Sequence, residues 1–221
     1  MRIHRGSTGI AEAGPAGGAV LASPATLIDA SADAALLRLA RVALEAVTGL
    51  RPVQAGDLSD GLPDVHLGAF VTLTVEGELR GCMGRLDFDR SLAENVVGAA
   101  AAVARDPRFQ PLEGWELPSI RVEVSAISEP VAIPGPEAFD VTRHGIVVER
   151  GMRRALLLPQ VARERGWDAR RTLRAVCEKA GLDPDDWARP GTRLSVFVAH
   201  EALEPEAFEP EAVEPEETVP G

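Results

Sequence analysis

The stretch His66-Leu67-Gly68-Ala69-Phe70-Val71-Thr72-Leu73-Thr74-Val75-Glu76-Gly77-Glu78-Leu79-Arg80-Gly81-Cys82-Met83-Gly84-Arg85-Leu86 decides the fold class. His66–Val75 reads as a strand, Glu76-Gly77-Glu78 turns the chain, and Leu79–Leu86 returns as a second strand. A second hairpin is expected where Gly145–Arg150 and Ala155–Leu158 flank Gly151-Met152-Arg153-Arg154. Ile120–Ser128 alternates, with Val122, Val124 and Ala126 on one face and Arg121, Glu123 and Ser125 on the other. Thr192–His200 reads as the last strand. Two hairpins and a closing strand point to antiparallel pairing, so an α+β fold is expected rather than a doubly wound sheet.

Helices are expected between these strands. Leu36, Leu39, Ala40, Ala43 and Val47 recur at helical spacing before Gly49. Ser91-Leu92-Ala93-Glu94 matches a capping box opening an alanine-rich helix, which Asp106-Pro107 is expected to end. Pro159 starts a helix through Arg165, stopped by Gly166. Asp168 caps another, whose Leu173, Val176, Cys177 and Ala180 share an apolar face. Cys177 therefore reads as a core residue, and Trp115, Trp167 and Trp187 as core or lobe-contact residues.

The flanks differ in composition. Gly6–Pro24 is dominated by Gly, Ala, Ser and Pro without a period, and the chain after His200 repeats Glu-Pro-Glu every five residues. Residues 1–30 and 201–221 are expected to be disordered, the latter as an extended acidic spacer, with 31–200 as the folded unit. Of the formal charge of −11, eight glutamates lie in 201–221, which leaves −3 for the rest of the 221 residues. A near-neutral domain lacks the basic footprint of a nucleic-acid binder. No apolar run reaches about 18 residues, which excludes a membrane-spanning helix from the expectation. Only two cysteines and no export-type leader lead to the expectation of reduced thiols in a cytoplasmic protein. Lys179 is the one lysine among 23 basic residues, a bias read as genomic base composition.

Leu79-Arg80-Gly81-Cys82-Met83-Gly84-Arg85 is the most unusual segment. Two glycines inside a strand suggest a bulge or a close approach of backbone to another group. They also bare amides able to donate to an anion. Arg80 and Arg85 favour the thiolate of Cys82 if they lie near it, and simple alternation puts Arg80, Cys82 and Gly84 on one face. A nucleophilic cysteine and a small packing cysteine both fit this pattern.

The same segment resembles the signature Leu-Arg-Gly-Cys-Ile-Gly of the AMMECR1 family, the A component of the AmmeMemoRadiSam system, with Met83 in place of isoleucine. The resemblance continues through Asp106-Pro107-Arg108-Phe109, Glu116-Leu117-Pro118, Glu123-Val124-Ser125, His144-Gly145, Leu157-Leu158-Pro159-Gln160-Val161, Trp167 and Cys177-Glu178-Lys179-Ala180-Gly181-Leu182. It spans Ala34–His200. Arg85-Leu86 departs from the small or threonine residue and phenylalanine usual in the family, a difference that bears on ligand choice. The resemblance implies one α+β domain of two unequal lobes, the larger built on an antiparallel sheet flanked by helices, with the signature near their junction. It also implies a pathway shared with a Memo-like protein and a radical-SAM protein, but no reaction.

Candidate companions for Cys82 follow from chemistry. His144 is a base able to take the thiol proton, and Glu123 a carboxylate able to orient it; each also fits a structural role, in a turn or in a cross-strand ion pair. Arg108 suits a planar anion, or else its loop is a helix stop anchored by Phe109. No metal is expected, because His4, His66, His144, His200 and the two cysteines show no paired ligand spacing. No cofactor is expected either, since no phosphate-binding glycine loop occurs. Two functions remain in view. One is a small-molecule enzyme using Cys82 as nucleophile, with the Gly81 and Gly84 amides and Arg80 and Arg108 binding the ligand and Glu123 or His144 moving protons. The other is a non-catalytic partner of a Memo-like protein that docks through the Leu79–Arg85 hairpin.

Overall fold

The computed structural model describes residue 28 and residues 30–52, 54, 56 and 61–205. Most of the expected disordered ends therefore lies outside the described residues. What is described corrects the expected boundaries at both sides. Ile28 is fully buried against the first core, and the chain remains a strand through Leu203.

Helix α1 (Asp33–Val47) buries Ala35, Leu36, Leu39, Ala40, Ala43 and Leu44 along one stripe. It ends where the Thr48 hydroxyl bonds back to the Leu44 carbonyl at 2.9 Å and Gly49 takes a left-handed φ of +82°. The hairpin follows as β1 (Gly68–Val75) and β2 (Glu78–Arg85). Helix α2 (Leu92–Val103) opens on the expected capping box between Ser91 and Glu94. Its alanines leave room for close contact with the sheet. Strand β3 (Arg121–Ile127) pairs with β1, and β8 (Ala199–Leu203) pairs with β3. The first sheet is therefore antiparallel in the order β2-β1-β3-β8.

The second sheet, in the order β4-β7-β5-β6, is built from β4 (Val131–Ala132), β5 (Gly145–Arg150), β6 (Arg153–Leu157) and β7 (Arg193–Phe197). Helices α3 (Pro159–Arg165) and α4 (Ala169–Lys179) belong with it. Gly166 ends α3 at φ +62°, and the Asp168 carboxylate caps α4 through the Arg171 amide at 2.7 Å, both as expected. The fold class is α+β, in two unequal lobes with separate cores. Trp167 and Trp187 pack on the second core, but Trp115 is 79% exposed. It sits on a short 3-10 turn that directs Glu116 inward instead.

Alternation decides what the first sheet shows to each side. Ala69, Val71, Leu73, Val122, Val124 and Ala126 join the core under α1 and α2. Phe70, Thr72, Glu123, Ser125 and Ile127 are therefore left on the opposite face. There Ile127, Val147 and Phe197 form a small junction core, joined by Phe70, Leu86 and Leu158. The opposite face thus looks toward the second lobe.

Two glutamates of the expected tail are structural. Glu201 pairs with Arg163, and Glu204 receives the Arg41 guanidinium and the Val122 amide at 2.8 Å. Arg41 also donates to the Leu117 carbonyl at 2.7 Å, so one partly buried cluster ties α1, β3 and the end of β8 together. Glu204→Ala is expected to cost about 2–3 kcal/mol, because it strands a half-buried guanidinium and an amide. Urea denaturation of full-length protein measures this; a loss under about 0.5 kcal/mol would contradict it.

Candidate functional site

Cross-strand register builds the site. Cys82 on β2 stands opposite Thr72 on β1, and Thr72 stands opposite Glu123 on β3. These residues form one row across three strands on the face toward the second lobe. The Thr72 hydroxyl donates to Cys82 Sγ at 3.3 Å. Cys82 is partly exposed, whereas Cys177 is fully buried in the second core, where burial pushes its thiol pKa up.

The β2 backbone at Cys82 is clamped from its open edge. The buried Asp106 carboxylate accepts from the Cys82 amide at 3.1 Å. It also accepts from the Arg108 amide at 3.1 Å and from Arg108 Nε and Nη2 at 3.0 and 2.6 Å. Arg108 returns to the strand by donating to the Cys82 carbonyl at 3.2 Å. The Arg108 hydrogen bond, seconded by the Cys82 amide, holds the Asp106 carboxyl far below the usual carboxylate range. Asp106 was not singled out from sequence as a site residue. The signal was present: an acid two positions before an arginine, at a helix-ending proline, is suited to local side-chain-to-backbone bonding.

Arg80 does not share the thiol's face. The register slips between Leu73 and Thr74: Leu73 faces Gly81 and Thr74 faces Leu79, so Arg80 is the extra residue of a bulge. Its guanidinium turns to Glu116 at 2.9–3.0 Å and to the Gln110 carbonyl at 3.1 Å. Arg80 and Arg108 lie on either hand of the Phe109 ring, 5.9 and 5.5 Å from its centre. Arg80 Nε and Nη2 are thus engaged by structure, and its side chain is mostly buried.

The two glycines also depart from expectation. A Cβ at Gly81 would lie 2.9 Å from Val103 Cγ2, and one at Gly84 would lie 2.4 Å from the Phe70 ring. Their first role is close packing, of α2 on one face and of an aromatic ring on the other. The Cys82 amide points outward to Asp106, so antiparallel alternation turns the Gly84 amide outward as well and the Gly81 amide toward β1. The pair cannot act together as an amide cradle. Arg85 follows the helix side, its stem against Gly98.

Glu123 is brought into the row, but not against the thiol; Thr72 stands between them. Gln160, at the start of α3, donates to Glu123 Oε1 and to the Ser125 hydroxyl, both at 2.9 Å, and Ser125 donates to Glu123 Oε1 at 3.2 Å. Burial raises the Glu123 pKa, with the Gln160 and Ser125 hydrogen bonds opposing. His144 stays in its own turn. Its Nδ1 accepts the Asp140 amide at 3.2 Å and burial lowers its pKa; none of its described interactions reaches Cys82 or Glu123.

Lys179, at the end of α4, was missed by the reading of that helix as core. It has no hydrogen-bond or carboxylate partner among the described residues. The residue is exposed overall, yet its ammonium loses hydration against the surrounding protein, which lowers its pKa. The charge of Cys82 opposes that shift and the charge of Arg108 adds to it. Lys179 in the second lobe and Arg108 in the first are thus both within electrostatic range of Cys82. Four cavities of about 540, 390, 760 and 350 Å³ lie elsewhere on the surface, and none is lined by Cys82. The thiol therefore lies in none of these four cavities. Among the described residues no group of three His, Cys, Asp or Glu is placed to hold a metal, and no helix is long and apolar enough to cross a membrane.

Comparisons agree with this architecture. A protein of Methanothermobacter thermautotrophicus is 43% identical over 174 residues, covering 74% of this chain and 90% of its own. One of Pyrococcus furiosus is 39% identical over 184 residues, 77% of this chain and 87% of its own. The crystal structure of an uncharacterized protein from Pyrococcus horikoshii superposes with a TM-score of 0.68 at 36% identity, over 75% of this chain and 88% of that one. The AMMECR1 family model matches residues 37–202, and on the strength of that match and of these relatives the chain belongs to the AMMECR1 family.

Proposed function

We propose that the chain acts on a small anionic electrophile through Cys82, which serves as nucleophile or covalent carrier in the crevice between the lobes. The observation that carries this reading is the setting of Sγ. Cys82 is partly exposed, its Sγ receives the Thr72 hydroxyl, its carbonyl receives Arg108, and Lys179 of the other lobe lies within electrostatic range of it. The hydroxyl and the cationic side chains around Cys82 draw an anionic group toward the same atom. Arg108 is held by Asp106 yet more than half exposed, so it presents fixed donors to a ligand. Glu123, further along the row, is suited to bind or protonate a distal part of the ligand rather than to act on the thiol itself.

Alkylation tests this. Iodoacetamide at pH 7.5 should modify Cys82 in the native protein while sparing Cys177. Lys179→Met should slow the reaction about three- to tenfold, because it removes one cation near the thiolate. Native Cys82 that resists alkylation, or a rate unchanged by Lys179→Met, contradicts the proposal.

The packing role of Gly81 and Gly84 supports a second reading, in which the β2 edge docks a Memo-like protein that works with a radical-SAM protein. A Cys82→Ser variant that keeps such a complex intact, in a protein whose thiol is inert, favours that reading.

A further inference from the structure

The row that carries Cys82 is electrically asymmetric. Its β2 end holds Arg108, bonded to the Cys82 carbonyl, and lies within electrostatic range of Lys179. Arg108 uses Nε and Nη2 on Asp106 and the Cys82 carbonyl, leaving Nη1 unengaged among the described interactions. Lys179 has no acidic partner among the described residues. Its β3 end is the reverse. Glu123 spends only Oε1 on Gln160 and Ser125, and Glu164 and Glu201 add negative charge close by, that of Glu201 offset by its ion pair with Arg163. In the same place a second group lacks a partner: Gln160 is 6% exposed, and its Oε1 accepts no hydrogen bond. A buried acceptor left unpaired costs free energy that a suitable donor would recover. Two strand spacings separate β2 from β3, about 10 Å backbone to backbone.

We propose that this row binds a small zwitterion, its anionic group held by Arg108 and Lys179 beside Cys82 and its ammonium by Glu123 and the Gln160 carbonyl oxygen. The inference rests on the reading of the Cys82 crevice as a small-molecule site and names the class of ligand. The distance across the row excludes an α-amino acid, whose charges are adjacent, and selects a molecule of about dipeptide length. The ammonium also accounts for a carboxyl that is desolvated and has no ion-pair partner among the described residues: a positive group at Glu123 reverses the upward push of burial on its pKa.

Three probes test it on full-length protein: 6-aminohexanoate, hexanoate and hexylamine. Binding is followed by calorimetric titration, and independently by protection of Cys82 from iodoacetamide. The zwitterion is expected to bind at least tenfold more tightly than either singly charged probe. Glu123→Gln should abolish its advantage over hexanoate and leave hexanoate itself unchanged. Lys179→Met should abolish most of its advantage over hexylamine. Equal binding of hexanoate and 6-aminohexanoate, or no measurable binding of the latter, overturns the proposal. The thiol chemistry fails separately: if Cys82 resists alkylation in ligand-free protein while the tenfold preference persists, the ligand class stands and the nucleophile falls.

Discussion

Asp106→Ala is expected to cost about 3–5 kcal/mol and to loosen β2 around Cys82 before the rest of the fold. The carboxylate is almost wholly buried and accepts four hydrogen bonds, three from Arg108 and one from the Cys82 amide. Alanine removes the acceptor, leaves that edge amide without its protein partner, and opens a gap beneath the loop. The site should respond along with stability: without the clamp, Arg108 has no anchor and Cys82 alkylation loses its dependence on that cation. The pH behaviour supplies an independent check. In wild type the folded pKa of Asp106 lies below its unfolded value of about 3.9. Its contribution is then complete above that pH and is lost as pH falls through the acid range toward the folded value. Arg108→Met flattens this dependence. The carboxyl stays buried with two amide donors, from Cys82 and from position 108, its pKa moves up toward the unfolded value, and less stability is gained as pH rises through the acid range. Urea midpoints from pH 3 to pH 7 measure both slopes. An Asp106→Ala midpoint within about 0.5 kcal/mol of wild type, or parallel pH profiles for wild type and Arg108→Met, defeats this account.

How far sequence reaches in this molecule depends on whether a property is local. Ser91 and Glu94, Asp168, Gly166 and the Glu76-Gly77 turn act within a few residues of themselves, and each does what its type and spacing predict. The Val122-Val124-Ala126 alternation holds because one sheet face is buried and the other is not. Where a long-range partner decides, the local rule fails. Alternation put Arg80 beside Cys82, but one bulge residue re-aims it, and Glu116, 36 positions away, captures it. The two glycines signal a close approach of the backbone, as their place in a strand suggests, but only packing tells which groups approach them. Lys179 was hidden because it ends a helix whose apolar face invites a core reading, and Cys82, whose charge it feels, comes from the other lobe. Glu204 looked like one more unit of an acidic repeat until Arg41 supplied the counter-charge.

Gly145 gives the sharper of two related tests. A Cβ there would lie 2.2 Å from Phe197 Cζ, as one at Gly84 would lie 2.4 Å from Phe70 Cε1. Each sheet thus lays an aromatic ring over a glycine of the neighbouring strand, and both rings meet in the junction core. The rings differ in freedom: Phe197 is fully buried, whereas Phe70 is only partly so. An overpacked ring must either move or displace its surroundings. Gly145→Ala should therefore cost about 3 kcal/mol or more, and Gly84→Ala about 1–2 kcal/mol, as Phe70 swings toward the crevice. A double-mutant cycle separates steric conflict from any intrinsic preference for glycine. Phe197→Leu removes the ring, so Gly145→Ala made in that background should cost at least about 1.5 kcal/mol less than in wild type. Purely additive costs would mean that the clash is relieved by backbone movement and that the ring-over-glycine contact does not set the junction. Because Phe70 sits one pair along from Thr72 on β1, Gly84→Ala should also change the alkylation rate of Cys82, while Gly145→Ala, acting from the second sheet, should alter it only as far as the lobes separate.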